Sequence, residues 1–101
     1  MATGGKREAI DAKIKAWERD LEQVRLALAR APEPMHAQHN PNFTALYRKK
    51  ETVKSRWEAV RGVYRPEPEA IQRFEDALAA MEAAWAAAQP MIDQVLKAQA
   101  A

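Results

Sequence analysis

Apolar residues in this chain recur at alternating intervals of three and four, and that spacing limits the fold more than any other feature. Ile10, Ile14, Trp17, Leu21, Val24 and Leu28 form a first run. Phe43, Leu46, Lys50, Val53, Trp57, Val60 and Tyr64 form a second, and Ile71, Phe74, Leu78, Met81, Trp85, Ala88, Ile92 and Val95 a third. An interval averaging about 3.5 residues keeps such a stripe on one face of a slightly supercoiled helix. None of the runs alternates polar and apolar residues as a half-buried strand does. The spacing predicts an all-α fold, an antiparallel up-down-up three-helix bundle with coiled-coil packing.

The breaks between the runs carry the prolines. Residues 32–42 contain Pro32, Pro34 and Pro41, which argues for a loop there, with Asn40 or Asn42 capping the second helix. Arg65-Pro66-Glu67-Pro68-Glu69 forms a short second break, which makes the second and third helices antiparallel neighbours. The expected organisation is a flexible N-terminal tail over 1–5 and a single bundle over 6–101, with helices over about 6–31, 43–65 and 67–98. Pro90 predicts a kink or break in the third helix. Matching these lengths puts Trp17, Trp57 and Phe74 at one level as an aromatic layer. The third helix then overhangs the base. Met91, Ile92, Val95 and Leu96 either cover the proline-rich loop or stay exposed as an interaction surface.

Composition narrows the chemistry. The 101 residues include no cysteine, so disulfides and thiolate metal sites are excluded. Glycine occurs only at 4, 5 and 62, too sparsely for a phosphate-binding loop. Ser55 is the one serine, and no histidine is near it in sequence, so no catalytic residues are assigned and an enzyme is not expected. His36 and His39, with Met35 beside them, are weak candidates for a copper or nickel site. A solvated pair on a loop is the simpler expectation, and neither falls on a predicted helix. No cofactor is expected. No run of 18 apolar residues is present and the N-terminus lacks a signal-peptide core, so the expected location is cytoplasmic.

Charge is distributed by helix. Residues 43–65 carry seven cations against Glu51 and Glu58, whereas residues 66–101 carry two cations against six acids. Compensation along the seam between the second and third helices is the simplest reading. The alternative is a basic face on the second helix, in which Arg48, Lys49, Lys54, Arg56 and Arg61 contact nucleic-acid phosphates. The net charge of only +2 favours the first. Lys50 stands at a core heptad position, where a lysine either snorkels to the surface or sets register.

The stretch Ala12-Lys13-Ile14-Lys15-Ala16-Trp17-Glu18-Arg19-Asp20-Leu21 resembles the first helix of a family of small bacterial three-helix coiled-coil proteins, uncharacterised or of stress-response type. Tyr47-Arg48-Lys49-Lys50, Phe74-Glu75-Asp76 and Met81-Glu82-Ala83-Ala84-Trp85 extend the resemblance across most of residues 12–85. The loop at 32–42, Phe74 in place of a tryptophan, and Pro90 depart from it. The resemblance implies a non-enzymatic helical protein associated with stress, and it brings no catalytic residues. The expected function is that of a structural or protein-interaction module. Its partner is another protein or a second copy, and its contact surface is the overhang at Met91, Ile92, Val95 and Leu96.

Overall fold

The computed structural model describes the backbone of residues 2–100 and the side chains of residues 6–98. Three helices follow one another: α1 (Ala2–Arg30), α2 (Glu33–Val60) and α3 (Pro68–Ala100). Each packs against the other two, and the bundle measures 49 × 24 × 18 Å. The heptad stripes meet on its axis. Ile14, Trp17, Leu21, Val24 and Leu28 of α1 are buried against Phe43, Leu46, Val53 and Trp57 of α2 and Phe74, Met81, Ile92 and Val95 of α3. Each large side chain so enclosed contributes about 1.5–3 kcal/mol relative to exposure.

The helix boundaries differ from expectation in ways the prolines explain. Residues 32–42 are not a loop. The connection between α1 and α2 is only Ala31 and Pro32, and α2 runs from Glu33 through the whole stretch. Pro32 is itself the N-cap residue (φ −57°, ψ 148°), and Pro34 sits in the first turn, where a missing N–H costs nothing. Only Pro41 interrupts the interior, and it removes the single bond that would reach the Ala37 carbonyl. Its ring faces solvent. Pro90 likewise lies exposed within a continuous α3, so that helix is not broken there. At the other end of α2 the helix stops at Val60, five residues short of expectation. Arg61 leaves helical geometry (ψ 138°) and Gly62 adopts φ +75°, a conformation that a side chain disfavours. Tyr64 therefore never reaches the core stripe its spacing suggested. The stretch expected as a flexible tail is helical from Ala2 onward, and Met1 lies outside the described residues.

The tighter first turn also shifts the helices against each other. Trp57 stacks on Phe74 at 4.9 Å between ring centres, as the aromatic layer requires. Its partner on α1 is Asp11 rather than Trp17, nearly two turns closer to the N-terminus. Trp17 is buried at another level, with the Lys13 ammonium 5.9 Å from its ring.

Candidate functional site

The overhang is not a free surface. Ile92 is 3% exposed and Val95 1%, while Met91 and Leu96 are half-buried against the same core. Met91 lies beside Asn42, Ala45 and Leu46 of α2, which is helical here where a loop was expected. Val95 also meets Ala27, Ala31 and Pro32 around a shallow depression. Covering therefore replaces exposure, and the apolar side chains of this segment form part of the core rather than the expected contact surface.

His36 and His39 are on α2, one turn apart, and Glu33 stands three residues before His36. The helix thus carries a Glu-x-x-His spacing that the loop reading concealed. The surroundings do not complete a metal centre: among the described residues no three histidine, aspartate or glutamate side chains cluster in a way that would hold an ion. His39 is instead a core residue, 5% exposed, whose Nε2 has no hydrogen-bond partner.

The basic residues of α2 do not share a face. Lys54 donates to Glu18 at 3.3 Å and Arg61 to Asp11 at 3.1 Å, so both turn toward α1. Glu18 raises the pKa of the Lys54 ammonium by accepting its hydrogen bond. Arg48 and Lys49 point the other way, along the outer seam of α2 and α3, beside Ala77 and Ala80. Arg56 is exposed. Among the described residues no ion pair crosses the α2–α3 seam. Among the described residues the inter-helix ion pairs join α1 to α2 (Glu18–Lys54, Asp11–Arg61, and Glu18–Lys50 at 4.0 Å) or α1 to α3 (Lys13–Glu82, 3.1 Å). Along the outer α2–α3 seam α3 offers alanines where a carboxylate would be needed. Lys50 does not snorkel into solvent. Its side chain is 3% exposed, its ammonium donates to Glu51 at 2.7 Å, and it lies 4.2 Å from the Tyr47 ring centre. That hydrogen bond holds the Glu51 carboxyl below its ordinary pKa.

The feature that heptad reading missed is at the opposite end from the overhang, where α1 begins, α2 ends and α3 begins. Val63, Tyr64 and Ile71 are 45%, 90% and 38% exposed there. They border a cleft of about 500 Å³ whose floor is Ile10, Trp57, Val60, Phe74 and Leu78. Lys6, Arg7 and Arg61 stand at its edge, with Glu75 as the single carboxylate in its lining. The floor is held firmly. Asp11 accepts from the Trp57 indole N–H at 2.7 Å and from Arg61 at 3.1 Å, which fixes the indole against Phe74. The wall owes its shape to Gly62: the chain reverses there and carries Val63 and Tyr64 outside the bundle. Gly62, Pro66 and Pro68, clustered beside an apolar run, are the sequence signal that marks this end as open.

No helix among the described residues is long and apolar enough to cross a membrane. No protein-family model matches the chain, and no curated protein or solved structure matches it. The chain is, on its structure, an all-α three-helix bundle with one sealed end and one open end.

Proposed function

We propose that this chain is a non-enzymatic protein-interaction module and that its binding face is the open end of the bundle. One observation carries the reading: Val63, Tyr64 and Ile71 converge, exposed, on an apolar cleft with a fixed aromatic floor. Side chains of this size left in water beside a concave surface mark contact sites more often than they mark chance exposure. Tyrosine and arginine are also the residue types most enriched where proteins meet. A cytoplasmic setting and a role in stress belong to the same proposal; the second rests on the sequence resemblance alone. The nucleic-acid alternative loses support because its five cations divide between two faces of α2, and two of them are already paired with α1.

Site-directed photo-crosslinking tests this. A photoreactive phenylalanine derivative replaces Tyr64 in one variant and the exposed Gln23, far from the cleft, in another. The expected result in native cells is a discrete adduct from position 64 that position 23 does not give. Its mass separates a second copy from another protein. The same adducts from both positions, or none from either, would overturn the reading.

A further inference from the structure

The edge of the cleft says what kind of partner the floor would receive. Arg61 shares its charge with Asp11. Lys6 and Arg7 do not: among the described residues neither enters an ion pair. Arg65 adds a further cation, with its guanidinium carbon 5.4 Å from the Tyr64 ring centre. α1 and α3 both begin at this end, so two of the three helix dipoles direct their positive poles toward it. Against this stand Glu75 in the lining, Glu67 in the same connection as Arg65, and α2, which ends here and turns its negative pole the same way; Lys6 and Arg7 remain as the unpaired charges of the lining.

We infer that the occupant is an acidic segment of a partner protein, with an apolar anchor seated over Trp57 and Phe74 and flanking carboxylates placed at Lys6 and Arg7. The inference rests on the cleft being the binding face. A small anionic ligand fits less well, because one confined to the cleft leaves most of the Tyr64 ring in water. A second copy fits less well too. Pairing this end with itself brings Lys6 and Arg7 of both copies into one interface with only the two Glu75 carboxylates of the cleft linings to meet them, and that excess of like charge opposes association.

The test sorts a display library of short random peptides against the full chain and, in parallel, against a Tyr64→Ser/Ile71→Ser variant. Both substituted residues are exposed, and circular dichroism checks that the variant keeps its helices. The expected peptides bind only the unaltered chain, contain a large apolar residue, and carry more Asp and Glu than Lys and Arg. A synthetic peptide of that kind binds the Lys6→Gln/Arg7→Gln variant about tenfold more weakly, and loses a similar factor as salt rises from ~50 to ~500 mM. Peptides that need Tyr64 and Ile71 but are neutral or basic overturn the acidic partner and leave the cleft reading standing. Peptides indifferent to Tyr64 and Ile71, or no enrichment at all, overturn both.

Discussion

At the end of the bundle where α1 turns into α2, Leu28, Ile92 and Val95 are almost fully enclosed; at the other end Val63, Tyr64 and Ile71 stand in water. The same heptad spacing leads to both. What differs is the connection. Ala31 and Pro32 join α1 to α2 with no slack, and α3 runs on past Pro90 to cover the join. Residues 61–67 join α2 to α3 through a turn at a left-handed glycine and a bend beyond it, so the stripes part before the bundle ends. Burial therefore runs through to the closed end and stops short of the open one, which is where the proposed recognition surface lies.

The largest effect that tests this contrast comes from removing residues 91–101. If the overhang is core, the deletion takes away Ile92 and Val95, each worth about 1.5–3 kcal/mol of burial. Total stabilities of small domains are about 5–15 kcal/mol. The truncated chain should therefore lose most of its cooperative thermal transition by circular dichroism. A truncated chain that melts as sharply and as high as the full one would mean that the closed end is not where stability resides.

Single substitutions sharpen the contrast at smaller scale. Leu28→Ala should cost about 2–5 kcal/mol in urea denaturation, because a fully enclosed site relaxes poorly around a cavity. Ile71→Ala should cost less than about 1 kcal/mol, since much of that side chain is already hydrated. Comparable losses at the two sites would contradict the open-end geometry. His39 adds a change of opposite sign at the closed end. Its Nε2 is buried without a partner, so His39→Leu should raise stability by about 1 kcal/mol.

How much of this was legible follows from what each signal depends on. The core was legible because spacing decides which face is buried wherever all three helices run side by side: Val24, Leu28, Val53, Met81 and Val95 all fell where the heptads put them. Proline was misread because its meaning depends on its place within a helix. Pro32 and Pro34 begin a helix as readily as they end one. That one misplacement hid the helical setting of His36 and His39 and left the overhang without its cover. Tyr64 kept perfect heptad spacing, yet two residues beyond Gly62 the spacing no longer describes a helix. The division of the basic residues was readable in principle. At about 100° per residue, Lys54 and Arg61 fall close together, well over 100° from Arg48, Lys49 and Arg56. The cleft itself was not, because it is made by three chain segments whose meeting depends on the register between helices.

The smallest effect concerns the middle of the bundle, between the closed and open ends, where the Lys50 ammonium is buried. Lys50 holds the Glu51 carboxyl below its ordinary pKa, and a carboxyl whose folded pKa is depressed stabilises the fold above its unfolded pKa. That contribution should fade as pH falls through the lowered value, on the acid side of the usual carboxylate range. Glu51 is itself largely solvated, so the effect should stay below about 1 kcal/mol. Lys50→Met separates this coupling from packing. It replaces a buried ammonium with an apolar chain of similar length, and it strands no charge in the core because the Glu18 and Glu51 carboxylates both reach solvent. The variant should melt no lower than the parent at neutral pH and should lose the part of the acid-side decline that Glu51 supplies. Light scattering should show the same mass as the parent, because Lys50 finds its partners within its own chain. A changed mass would mean instead that the lysine sets the number of chains in the assembly, and that the middle of the bundle, rather than its open end, governs association.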